Sequence, residues 1–100
     1  MANWSTEQTH EWLMRILHEK YVEDEQASMR WPETLEATEL HPCGDDIIRE
    51  SKQLASYGWI EILTQAYGFI FAQMTRVGCE TWEAFLGEKE NDPAAVLSPP

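Results

Sequence analysis

Residues 54–75 decide how this 100-residue chain folds: Leu54-Ala55-Ser56-Tyr57-Gly58-Trp59-Ile60-Glu61-Ile62-Leu63-Thr64-Gln65-Ala66-Tyr67-Gly68-Phe69-Ile70-Phe71-Ala72-Gln73-Met74-Thr75. Gly58 stands where a helix closes on a left-handed residue, since without a Cβ it accepts positive φ at little steric cost. Trp59-Ile60-Glu61-Ile62-Leu63 follows at once, with the aromatic and β-branched composition of a strand. A second such run, Phe69 to Met74, lies beyond Thr64-Gln65-Ala66-Tyr67-Gly68. Two short strands joined by a glycine-containing connection predict a hairpin. Thr75 is then placed to cap a closing helix, its hydroxyl taking an amide that the helix start leaves unpaired.

Working outward, Asp45 is positioned to cap the helix that leads into Gly58, with Ile47, Ile48, Ser51, Leu54 and Ala55 on its inward side. Before it, Pro32 suits the first position of a short helix whose inner side is Leu35, Thr38 and Leu40. Pro42-Cys43-Gly44 supplies a turn after it. The first helix is expected from Ser5 to Val22: Ser5 and Gln8 have capping-box spacing, and Leu13, Ile16, Leu17 and Tyr21 form its buried stripe. Glu23 to Ser28 reads as a solvated loop. Downstream of Thr75, Cys79, Trp82, Phe85 and Leu86 have core spacing, Met74 is placed to staple against Cys79, and Gly87 is the expected stop. The domain therefore spans 1–87, and the polar, then Ala- and Pro-rich stretch 88–100 is expected to be a mostly disordered tail.

The order helix, helix, turn, helix, hairpin, helix is α+β and resembles a winged helix. Leu54-Ala55-Ser56-Tyr57-Gly58-Trp59-Ile60-Glu61 resembles the L-x-x-x-G-L-I-E passage where a third helix enters the wing. Met74-Thr75-Arg76-Val77-Gly78, followed by Phe85-Leu86, resembles the L-T-x-x-G…F-L passage into the closing helix. Over roughly residues 6 to 92, the arrangement is similar to small phage- and plasmid-associated winged-helix proteins of uncharacterised function. Fold alone leaves DNA, RNA and protein as partners.

Charge narrows that choice. Eighteen acids against seven basic residues give a net charge of −11, the reverse of what phosphate neutralisation requires. The chain is instead drawn to basic protein surfaces; the alternative is that the charge serves solubility alone. No apolar run approaches the roughly 18 residues of a membrane span, and the N-terminus lacks the pattern of a secretion signal. A cytoplasmic protein is expected, with Cys43 and Cys79 as reduced thiols.

Two surfaces follow as candidates. Glu23, Asp24, Glu25, Glu33, Glu36 and Glu39, with Arg30 and Trp31, form a candidate partner-binding stretch. A duplex carries a phosphate charge about every 1.7 Å of axis, so a carboxylate ridge imitates it for a nucleic-acid-binding host protein. Small acidic inhibitors of the anti-CRISPR type are similar in size and charge. The alternative is a solvated loop and helix face, with Trp31 covering the core. The second surface belongs to a dimeric DNA-binding regulator: Arg49, Lys52, Gln53 and Ser56 on the exposed side of the 45–57 helix, with Thr64 to Gly68 as wing tip. Asp45, Asp46 and Glu50 stand on the same segment, so direct nucleic-acid binding is not expected. The oligomeric state is left open.

Enzymatic readings find little support. His10 and His18 lie about 12 Å apart along a helix axis, too far to share one ion. His41-Pro42-Cys43 lacks a second pair with zinc-site spacing, and no Gly-rich phosphate loop occurs. Neither catalysis, a cofactor nor a metal is expected.

Overall fold

Ser5 opens the first helix through two reciprocal hydrogen bonds. Its Oγ accepts from the Gln8 amide at 3.1 Å, and Gln8 Oε1 accepts from the Ser5 amide at 2.9 Å. Two donors that a helix start would otherwise leave unpaired are thereby satisfied. Helix α1 then runs Thr6–Glu23. Leu13 and Leu17 are fully enclosed as expected, but so is Met14, and Trp12 is buried too, whereas Ile16 and Tyr21 are half-buried. The buried face is wider than the sequence stripe because α1 is covered by both of the other described helices and by the sheet.

The computed structural model describes residues 4–26, 28–31, 44–66 and 69–97. The short helix expected after Pro32, with Glu33, Glu36 and Glu39, lies outside the described residues, as do the Pro42-Cys43 turn, Tyr67 and Gly68.

Helix α2 spans Gly44–Ser56. Asp45 and Asp46 fall inside its first turn, where their charge favours the amide end of the helix; Asp45, expected as the cap, is the second residue of the helix. Ile47, Ser51 and Leu54 are buried, and Ile48 and Ala55 half-buried, which is the expected inward face. The helix closes on Gly58 at φ 80°. The Gly58 amide donates to Ala55 O at 3.0 Å and the Trp59 amide to Leu54 O at 3.3 Å, the paired bonds of a Schellman closure.

The hairpin follows directly. Strand β2 (Ile60–Ala66) runs antiparallel to β3 (Phe69–Met74), with Ile60 opposite Met74 and Ala66 opposite Phe69. Thr64 to Ala66 are thus strand residues, where a five-residue connection was expected, and only residues 67 and 68 lie between the strands. Pairing steps from Ile62–Ala72 to Thr64–Phe71, so Leu63 is the extra residue of a bulge. The alternation of β3 is regular: Ile70, Ala72 and Met74 are buried. A third strand was not foreseen. Met29–Trp31 (β1) pairs antiparallel with β3, Arg30 opposite Phe71, giving the sheet order β1-β3-β2. Three residues are too few for a period-2 signal, and the partner lies far along the chain.

Thr75 binds the junction together. Its Oγ1 accepts from the Gly78 amide at 3.0 Å and donates to Gly58 O at 2.6 Å, while its own amide donates to Trp59 O at 3.0 Å. Helix α3 (Arg76–Asn91) starts there. Cys79, Trp82 and Phe85 are buried as expected, but Leu86 is exposed. Gly87 does not stop the helix, which continues to Asn91 with Asp92 as its C-cap. Beyond it, Leu97 is buried in the core with Trp12, Leu13, Ile47 and Ile70. The expected boundary at 87 therefore falls inside a helix. Among the described residues no helix is long and apolar enough to cross a membrane.

Candidate functional site

The outer face of α2 gathers the residues that DNA contact would use. Arg49, Lys52, Gln53 and Ser56 recur at helical spacing and are all exposed, so they form one stripe. Three of the four side chains already have partners on the same helix or its C-terminal turn. Arg49 Nη2 lies 2.9 Å from Asp46 Oδ1, and its Nε 3.8 Å from Glu50 Oε1. Gln53 Nε2 donates to the Tyr57 hydroxyl at 2.9 Å, and Ser56 Oγ to Gln53 O at 2.6 Å. Lys52 has no ion-pair or hydrogen-bond partner among the described residues. From Trp59 to Met74 the sequence holds no Lys or Arg; the exposed side chains of β2 are Glu61, Leu63, Thr64, Gln65 and Ala66.

Glu50, on the same segment as that stripe, does not share its outer face. It is only 6 % exposed and turned inward, with Oε2 3.7 Å from His10 Nε2 on α1. A carboxylate withdrawn from water needs a charged or polar neighbour, and His10 and Arg49 flank it. Burial pulls the His10 pKa below its ordinary value, opposed by Glu50 and then by Glu7. His10 Nε2 is also the one buried side-chain nitrogen or oxygen, among the described residues, without a hydrogen-bond partner.

The acidic stretch is only partly placed. Glu23 ends α1, Asp24 caps it, and Glu25 follows; all three are exposed. Lys20 Nζ approaches Glu23 at 3.8 Å, and Asp24 Oδ1 accepts from the Gln26 amide at 2.9 Å. Arg30 and Trp31 belong to β1, the edge strand reached directly from this acidic turn. Of the remaining tryptophans, Trp59, Trp82 and Trp12 are core residues, and Trp4 packs edge-on against Trp12 at 5.7 Å.

Sequence reasoning missed one cluster. His18 of α1 meets Cys79 and Glu83 of α3. The available signal was the Cys79–Glu83 spacing, which sets both on one helix face; His18 joins them only through helix packing. No protein-family model, curated protein or solved structure matches the chain.

Proposed function

We propose that this chain is an acidic winged-helix-type domain of the phage or mobile-element kind. In this reading it binds a basic, nucleic-acid-handling host protein and blocks or modulates it. The fold part is supported by the order helix, strand, helix, hairpin, helix, with the hairpin following a closed Gly58 turn and β1 alongside it. The partner class rests on a single observation. On the surface where such a domain would read DNA, the α2 stripe and the hairpin, Arg49 is held by its own acids and Lys52 is the remaining cation. Nucleic-acid affinity comes from neutralising several phosphates at once, so this face is suited poorly to a duplex. Net charge of −11 favours a basic protein surface instead.

Affinity capture from the host cell, followed by titration of the captured partner, tests the reading. The complex is expected to weaken about tenfold or more when salt is raised or when Glu33, Glu36 and Glu39 are reversed to Lys, because steering and rim charges act through screened Coulomb terms. A complex indifferent to both treatments rules the acidic-surface mechanism out. The second reading, a dimeric DNA-binding regulator, draws on the shared stripe of Arg49, Lys52, Gln53 and Ser56. A defined gel shift on promoter DNA at physiological salt, abolished in Lys52→Ala, would put it first.

A further inference from the structure

The seam between α1 and α3 holds three side chains of metal-binding type that the proposed function does not use. His18 comes from the last turns of α1, while Cys79 and Glu83 stand one turn apart on α3, hence on one face of it. One ligand atom from each, the His18 ring nitrogen, Cys79 Sγ and a Glu83 carboxylate oxygen, lies within 4.8 Å of the others. His18 Nε2 is already 3.1 Å from Glu83 Oε2. Exposure rises across the cluster: Cys79 is buried at its floor, His18 half-buried, and Glu83 open to solvent. Glu80 and Glu25 add their negative charge around the thiol, and the nearby cation, Arg76, is 3.4 Å from Glu80. The seam thus surrounds a buried sulfur with acidic side chains.

From this geometry we infer that the α1–α3 seam binds one zinc-class divalent cation through His18, Cys79 and Glu83, leaving a fourth position open to water. One nitrogen, one sulfur and one oxygen make up a donor set for a borderline-soft ion; calcium and magnesium take oxygen alone. Around tetrahedral zinc, bonds of about 2.0–2.3 Å set ligand atoms about 3.3–3.6 Å apart. The widest present separation therefore has to close by at most about 1 Å, and Glu83, which faces solvent, and His18, which is half-buried, are the ligands with room to turn. On binding, the S–H bond breaks, the sulfur keeps the electron pair and bonds the ion, and the proton leaves to solvent. Without an ion, the His18–Glu83 contact opens to solvent on its Glu83 side and carries small energetic weight, so Glu83→Gln and His18→Gln are each expected to leave the fold intact.

The full chain, freed of metal by chelator, is titrated with zinc chloride by calorimetry and with cobalt chloride by absorbance. Saturation at one ion per chain is expected, with a thiolate-to-cobalt charge-transfer band and the visible bands of a four-coordinate site. His18→Gln and Glu83→Gln should each weaken zinc binding about tenfold or more while the metal-free proteins melt near wild type. Cys79→Ser should remove the charge-transfer band; should that buried substitution fail to fold, the wild-type cobalt spectrum decides sulfur ligation by itself. No saturation at one ion per chain, a cobalt spectrum without the sulfur band, or zinc affinity unchanged in both surface variants overturns the site.

Discussion

His10 is buried edge-on to Tyr57, ring centroids 6.3 Å apart, with Glu50 as the carboxylate against its ring and Glu7 on its own helix. At 3.7 Å the Glu50 contact is too long for a hydrogen bond, so it offsets only part of the cost of burying a charged ring. The folded-state pKa is accordingly below 6.5, with burial the larger cause. Between that value and 6.5 the unfolded chain holds the proton more readily than the folded one. The neutral ring's contribution to stability is therefore whole above pH 6.5 and is lost as pH falls through the folded-state value. Thermal melts from about pH 7.5 down to about pH 5.5 should show wild type losing stability more steeply than His10→Gln. Coincident slopes would assign the pH dependence to other groups. Nothing in the local sequence around His10 or Glu50 announces this pairing, because each reads as an ordinary polar position of an amphipathic helix.

Helix α3 carries two glycines that should respond to alanine in opposite directions. At Gly78 the helix passes the junction between α2 and β2 so closely that a Cβ would stand 1.9 Å from Trp59 O and 2.7 Å from its carbonyl carbon. Both are backbone atoms, held in place by the Thr75 amide. Gly78→Ala is expected to cost about 3 kcal/mol or more in urea unfolding, since the two elements must separate to admit the methyl group. At Gly87 nothing lies within 4 Å and the residue is mid-helix. Gly87→Ala should stabilise by about 0.5–1 kcal/mol through reduced backbone entropy in the unfolded chain. A loss of stability there would mean that the helix ends at Gly87 in a left-handed turn. The start of α3 was legible because Thr75 and the Gly78 amide form a local cap. Its end was not: Gly87 reads as a stop, yet Lys89 crosses to Glu11 of α1 at 3.1 Å and packs over Phe85, holding the last turns in place.

At the scale of the whole molecule, the core is closed by a residue from beyond the last helix. Leu97 is 5 % exposed and belongs to the same cluster as Trp12, Met14 and Trp82. Leu97→Ala should cost about 2–3 kcal/mol as a large-to-small core change, and truncation after Asn91 at least as much. A tail without contacts would leave the midpoint of chemical unfolding unchanged in both. The α+β class, the starts of α1 and α3, the Gly58 closure and the two hairpin strands could all be read from the amino-acid order. Each rests on chemistry between residues a few positions apart: a hydroxyl facing an amide, a missing Cβ, an alternation of apolar side chains. The tertiary structure alone decided that Met29–Trp31 adds a third strand, that Glu50 turns inward to His10, that Leu97 seals the core, and that His18 meets Cys79 and Glu83. Periodicity reports which face of an element is apolar but carries no record of which distant side chain will be packed against it.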